Sequence, residues 1–254
     1  MENQSKFNLP TETVELPSKG LLYSKENPLS SGTIEMKYMT AKEEDILSNQ
    51  NYIKNGTVFD KLFKSLIVSK IDYDDLTIGD KNAILIAARI LGFGKDYQFR
   101  RFNPSTGEEE TVTVDLSEIK NKEVDYSLYE NKNEFAFVLP KSKNEVTIKI
   151  LTHKDERQID EEIKGLKKVN LSADVTTRLK RTVVAVNGST DTKDIREFID
   201  NYLLAADARA LREYIKQVTP DLDLTYTFVG SDGYTEEGVE IPIGVSFFYP
   251  NAGV

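Results

Sequence analysis

The feature that most constrains the fold is an apolar segment in the middle of a predicted helix. Residues 84–88 are apolar on every side of a helical turn, so a helix that contains them must lie in the protein interior. We expect Asp80 to cap this helix, and residues 81–91 to form it. Gly92 and Gly94 should then end it. The rest of the chain must therefore pack around a buried central helix.

Further helices are predicted from apolar residues that recur three and four positions apart. Thr40 and Glu43 have the spacing of a capping box, which indicates a helix that begins at residue 40. The apolar stripes are Phe59, Leu62, Phe63, Leu66 and Ile67; Ile159, Ile163 and Leu166; Leu171, Val175, Leu179 and Val183; Ile195, Phe198, Ile199, Tyr202 and Leu203; and Leu211, Ile215 and Val218.

Short β hairpins separate the helical groups. The predicted strand pairs are 97–102 with 111–116, 135–139 with 146–150, and 224–229 with 239–248. The fold class that follows is α+β, mostly α-helical, with small hairpins. The expected regions are an extended N-terminal arm (1–32), a helical region (33–96), a β-hairpin region (97–150), a second helical region (151–220) and a C-terminal β hairpin (221–254) that packs against 97–116.

Composition limits the classes of function. The chain has 254 residues and a formal net charge of −9. Nucleic-acid binding gains from basic surfaces, so an acidic chain argues against it. No apolar run approaches the ~20 residues that a membrane-spanning helix needs, which predicts no membrane insertion. The start of the chain lacks the pattern of a secretory signal, so we expect the protein to be made in a cytoplasm.

The chain contains no cysteine and a single histidine, His153. This inventory removes thiol nucleophiles and cysteine or multi-histidine zinc sites. His153 stands among charged residues and is expected to lie on the surface. The acidic group Asp72, Asp74 and Asp75 with Asp80 lacks the spacing of a calcium loop, and a solvated loop with Asp80 as a helix cap is the better interpretation. We predict no catalytic residue, no metal site, no cofactor and no enzymatic activity.

Two segments are candidates for partner binding. The first is in the N-terminal arm and consists of Leu16, Pro17, Gly20, Leu21, Leu22 and Tyr23. The second is the aromatic C-terminus, Phe247, Phe248, Tyr249 and Pro250. Aromatic side chains bury large areas, so the C-terminal group must either complete the core of its own chain or contact another protein. Both alternatives remain open for different side chains.

Several motifs resemble the baseplate hub subunit family of T-even-type contractile-tailed phages (myophages). The matching segments are Leu16–Tyr23, Met39–Leu47, Asp75–Gly94, Glu240–Ile243 and Phe247–Pro250. The resemblance is good over residues 16–116 and again at the C-terminal end. It implies a late virion or tail-assembly protein that acts by protein–protein contact.

Many members of that family carry a cysteine pair in each of two β turns, as in a zinc ribbon. Here Asn103 and Thr106 stand at those positions in the first turn, and Val229 and Asp232 stand there in the second. Valine cannot bind zinc, and neutral oxygens are poor zinc ligands. The resemblance therefore implies zinc-ribbon-like hairpins that lack metal ligands and lie side by side.

The expected partners are other phage tail and baseplate proteins, and oligomerisation within the baseplate is left open. The expected location is the host cytoplasm during assembly. Whether the protein remains in the virion tail baseplate or acts transiently is also left open. The alternative function is a soluble acidic regulatory or anti-host protein that occupies a basic partner.

Overall fold

The computed structural model describes residues 9–168 and 170–248, in which helices alternate with short strands. The helices are α1 (Ala41–Ser48), α2 (Gln50–Lys54), α3 (Val58–Leu66), α4 (Ile78–Phe93), α5 (His153–Lys168), α6 (Asp174–Thr182), α7 (Thr192–Glu197) and α8 (Ala205–Val218). The strands are β1 (Thr11–Glu15), β2 (Thr33–Lys37), β3 (Asp96–Asn103), β4 (Glu108–Asp115), β5 (Phe135–Val138), β6 (Glu145–Ile148), β7 (Val183–Val186), β8 (Thr225–Val229) and β9 (Thr235–Glu240).

The strands form small antiparallel sheets. In the described ranges, β1 pairs with β2, β3 with β4 and β8 with β9, while β5, β6 and β7 form a three-stranded sheet. Helix accounts for 44% and strand for 23% of the structure. The prediction of a mostly α-helical chain is therefore wrong, and the protein is a mixed α and β structure.

Two of the strands, β1 and β7, differ from the structure that the sequence predicts at their positions. β1 lies inside the predicted arm, where Val14 is the sole apolar residue of the strand and gives no alternating pattern. Its pairing with β2 supplies the stability that its own sequence does not indicate. The sequence pattern places Val183 at the end of a helical stripe, but Val183, Ala185 and Val186 pair with β6 instead. A short apolar run of this kind fits either structure.

Helix α4 lies in the core, as predicted from its apolar middle. Ile84 and Ala88 are fully buried, and Gly94 ends the helix at a positive φ of 82°. The helix begins earlier than predicted, because Thr77 and not Asp80 occupies the N-cap position. Asp80 therefore lies inside the first turn, where its carboxylate has a different role.

The Asp80 carboxylate joins the N-terminal segment to α4. Its Oδ1 accepts a hydrogen bond from the Ser18 backbone N–H at 3.0 Å, and its Oδ2 accepts one from the Tyr23 hydroxyl at 2.5 Å. The Thr77 backbone N–H donates in turn to the Tyr23 oxygen at 3.2 Å. Asp80 is completely buried, and burial raises its pKa. The expectation that Asp80 caps the helix from a solvated loop is wrong, because hydrogen bonds from Ser18 and Tyr23, both distant in sequence, replace water.

The predicted capping box at the start of α1 is confirmed, and its glutamate extends into the core. Glu43 Oε2 accepts from the Thr40 backbone N–H at 2.9 Å, and Oε1 accepts from Lys37 at 2.8 Å and from Ser65 at 2.7 Å. Burial alone would raise the pKa of Glu43, but the hydrogen bonds from Lys37, Thr40 and Ser65 outweigh it and lower the pKa to about 2. One carboxylate thus connects β2, α1 and α3.

Candidate interaction surfaces

The N-terminal segment that was predicted to bind a partner is part of the core. Leu16, Leu22 and Tyr23 are 1%, 3% and 6% exposed. Pro17 and Gly20 are also buried, and Leu21 is partly buried. Gly20 has a φ of 75°, and a Cβ there would lie 2.4 Å from the Ser30 carbonyl oxygen. These side chains are therefore unavailable to a partner while the chain is folded, which corrects the expectation of an exposed binding arm.

The C-terminal aromatic residues also pack inside the chain as far as the structure describes them. Phe247 and Phe248 are fully buried in a short 3-10 turn, and not in the strand predicted to extend to residue 248. The Phe248 ring centroid lies 5.7 Å from that of Phe59, and that of Phe247 lies 4.7 Å from that of Tyr97. Tyr249 and Pro250 lie outside the described residues. For Phe247 and Phe248, self-packing is the alternative that the structure shows.

The hairpins β3–β4 and β8–β9, here called the two-hairpin module, lie against each other although they are far apart in sequence. Arg101 Nη2 lies 2.6 Å from Glu236 Oε2, and the Arg101 guanidinium also stacks over Phe228 at 5.1 Å. The rings of Phe99 and Tyr226 meet edge to face at 5.5 Å. An ion pair and aromatic packing therefore hold the flanks of the module together.

At the tip of the two-hairpin module, polar side chains join the two turns. The buried Asn103 Nδ2 donates to Glu110 Oε1 at 2.7 Å and to Asp232 Oδ1 at 3.1 Å. The Ser231 backbone N–H donates to Glu110 Oε2 at 2.9 Å. The hydrogen bonds from Asn103 and Ser231 lower the pKa of Glu110. A Cβ on Gly230 would lie 2.5 Å from Asn103 Nδ2, so the glycine permits this close approach.

The four positions that correspond to zinc-ribbon cysteines do not all lie together in the structure. Asn103 and Asp232 meet in the polar cluster, whereas Thr106 is exposed and Val229 is 65% exposed. Within residues 9–168 and 170–248, no group of three His, Cys, Asp or Glu side chains is placed to hold a metal ion. A hydrogen bond between Asn103 and Asp232 joins two of the four positions.

His153 is buried, which corrects its assignment to the surface. It is 7% exposed, and its Nδ1 lies 2.8 Å from Lys81 Nζ. Its Nε2 lies 3.5 Å from Asp60 Oδ2, and its ring meets that of Tyr73 edge to face at 4.7 Å. Burial, and then the Lys81 charge, lower the pKa of His153, which favours a neutral imidazole near pH 7. The ring bridges α3, α4 and α5.

An apolar groove opens between α6 and α8, with a volume of about 420 Å³. Its walls include Ile150, Val175, Leu179 and Ile215, and Ile78 at the start of α4. Val175 is 53% exposed and Ile78 is 39% exposed. This volume falls within the roughly 300–1,000 Å³ of typical ligand pockets. The groove is an apolar surface that the described part of the chain leaves open.

A comparison with protein families decides the identity of the chain. A family model described as T4 bacteriophage base plate protein matches residues 10–248. The chain belongs to this family. Searches of curated proteins and of solved structures returned no significant match.

The family match covers nearly the whole chain, including both hairpins of the two-hairpin module and the residues that line the groove. It establishes a phage baseplate protein with a structural or assembly role, and implies other baseplate proteins as partners and a place in the virion tail. Among the helices described, none has the length and apolarity required to cross a bilayer.

Proposed function

We propose that this baseplate protein is a hub subunit or hub-assembly factor of a contractile tail, and that it acts by protein–protein contact and not by catalysis. The observation that carries the proposal is the family match over residues 10–248. The motifs Leu16–Tyr23 and Glu240–Ile243 resemble segments of hub subunits, and this resemblance supports the finer assignment to the hub.

The side-chain chemistry favours a binding role over turnover. The chain has no cysteine, and its one histidine has both ring nitrogens close to charged partners, Lys81 and Asp60. A general base needs a ring nitrogen that can reach a substrate proton. At 7% exposure, His153 serves as a bridge between helices.

The open surfaces fit a protein that joins others. Phe247, Phe248 and most of the Leu16–Tyr23 segment are buried. The groove between α6 and α8 and exposed residues such as Phe102 and Val229 on the two-hairpin module are therefore the candidates for contact with partners. These two side chains are 57% and 65% exposed.

Quantitative mass spectrometry tests the proposal. Gradient-purified phage particles, isolated baseplates and infected-cell lysate are compared for peptides of this chain, with a major tail protein and a host cytoplasmic protein as the two references. A hub subunit is expected at a fixed ratio to other hub proteins in baseplates and in particles. An assembly factor is expected in baseplate intermediates of the lysate but not in particles. Presence only in fractions that lack baseplate proteins would contradict both.

A further inference from the structure

The groove between α6 and α8 has a charge pattern unlike that of the whole chain. The chain carries a net charge of −9, yet the groove is bordered by four cations and two acids: Lys149, Arg178, Arg212, Lys216, Glu156 and Asp174. The border is therefore basic on an acidic protein. Local charge of the opposite sign to the rest of the surface indicates a site for a complementary partner.

Two of the four cations already have partners. Lys149 Nζ lies 2.7 Å from Asp155 Oδ1, and Arg178 forms an ion pair with Glu156. These pairs connect α5 to Lys149, which directly follows β6, and to α6. They hold the wall of the groove and leave little charge for another molecule.

The other two cations, Arg212 and Lys216, are exposed and four residues apart on α8. This spacing puts them on one helical face, beside the groove residue Ile215. Neither forms an ion pair with any residue in the ranges 9–168 and 170–248. An apolar cleft thus has two unpaired positive charges along one wall.

We infer that this groove docks an apolar segment of another baseplate protein that carries a carboxylate side chain facing Arg212 and Lys216. The apolar side chains of that segment fill the cleft over Val175, Leu179 and Ile215, as an amphipathic helix fills a groove. Its acid pairs with the two cations and fixes its direction along α8. The identity of the partner as a baseplate protein rests on the proposed function, whereas the chemistry of the groove does not.

A dye tests the chemistry alone. 1-Anilinonaphthalene-8-sulfonate combines aromatic rings with one anionic group, and its fluorescence rises in an apolar site. We expect saturable binding to the full chain, and at least tenfold weaker binding after Val175→Asp. Reversal of the two cations by Arg212→Glu with Lys216→Glu should weaken binding about tenfold, which corresponds to about 1.4 kcal/mol.

Matched control variants are available on other surfaces. Val138 is 57% exposed on β5, so Val138→Asp makes the same change outside the groove. Lys164 and Lys168 are exposed and have the same four-residue spacing on α5, so Lys164→Glu with Lys168→Glu is the matched control for the charge reversal. Both controls are expected to bind the dye within twofold of the original chain, with unchanged circular dichroism in all variants. Equal binding by the groove variants and their controls would overturn the inference.

Photo-crosslinking in infected cells tests the occupant. p-Benzoylphenylalanine is placed at residue 175, and at residue 138 as the control. The expected product joins residue 175 to an apolar peptide of another baseplate protein that contains Asp or Glu, and its yield falls when Arg212 and Lys216 are reversed. Crosslinks to a second copy of this chain, to residues 249–254, or at no more than the residue 138 level would overturn it. Failure of the proposed function would show separately, as absence from baseplate fractions.

Discussion

The Tyr23 hydroxyl is the group whose removal should reveal most about how the N-terminal segment is held. Tyr23→Phe keeps the ring but deletes the donor to Asp80 Oδ2 and the acceptor of the Thr77 backbone N–H. Both of these groups are buried. A buried polar group that loses its partner costs about 1–3 kcal/mol, and more when it is charged. The two losses together should destabilise the chain by about 4 kcal/mol, or lower Tm by roughly 10 °C for a chain of this size.

Urea unfolding followed by far-UV circular dichroism measures this change, because the chain has no tryptophan. Tyr38→Phe is the control, since the Tyr38 hydroxyl donates to Glu12 at the surface and its loss should cost within about 0.5 kcal/mol. The Tyr23 hydrogen bond lowers the pKa of Asp80 against the effect of burial. Its removal should therefore raise that pKa further. The difference in stability between Tyr23→Phe and the original chain should then be smaller at low pH, where Asp80 is protonated, than at neutral pH. A loss below 1 kcal/mol at neutral pH would refute the role given to this cluster.

Four further predictions concern single positions. A Cβ on Gly79 would lie 1.9 Å from the Pro220 carbonyl oxygen, so Gly79→Ala should cost more than about 3 kcal/mol. Gly165→Ala, on an open part of α5, should stabilise by about 0.5–1 kcal/mol in the same assay. The folded pKa of Glu43 lies below its unfolded value of 4.5, so the stability it provides is complete above pH 4.5 and is lost as pH falls towards about 2. Glu43→Gln should be less stable at pH 7, and its free energy of unfolding should change less with pH over that interval. Parallel curves of unfolding free energy against pH for the variant and the original chain would refute this. Asn103→Ala should cost about 2 kcal/mol and raise hydrogen exchange in both hairpins together, whereas a rise confined to β3–β4 would contradict their coupling.

Local patterns predicted several elements well. The apolar stripe at Phe59–Ile67 corresponds to α3, the capping box marks the start of α1, and the first hairpin was placed within a few residues of β3 and β4. In each case the determining interactions lie within a few residues of one another. Period, capping and turn chemistry are then sufficient.

The predictions are wrong where residues that are distant in sequence form the environment of a side chain. His153 is surrounded by charged neighbours in sequence, but its environment is made by Asp60, Tyr73 and Lys81 from other helices. Asp80 has the sequence signature of a cap, yet its partners are Ser18 and Tyr23. No local pattern carries this information.

The groove was also missed, although one signal was present. Arg212 and Lys216 are four residues apart on α8, on the side of the helix that carries the apolar Ile215. That pattern alone does not show that α6 lies next to α8 and forms the other wall of the groove. The shape of the cleft depends on how two helices pack, which the sequence does not state.

The most direct test of the central claim is to remove the protein from an infection. The gene is given an amber codon, cells that cannot suppress it are infected, and tail intermediates are separated by sedimentation and identified by mass spectrometry. If the chain completes the hub by contact with other baseplate proteins, complete baseplates should be missing, peripheral intermediates should accumulate, and full-length chain supplied in trans should restore assembly. Complete baseplates of normal composition and yield without this chain would contradict the account.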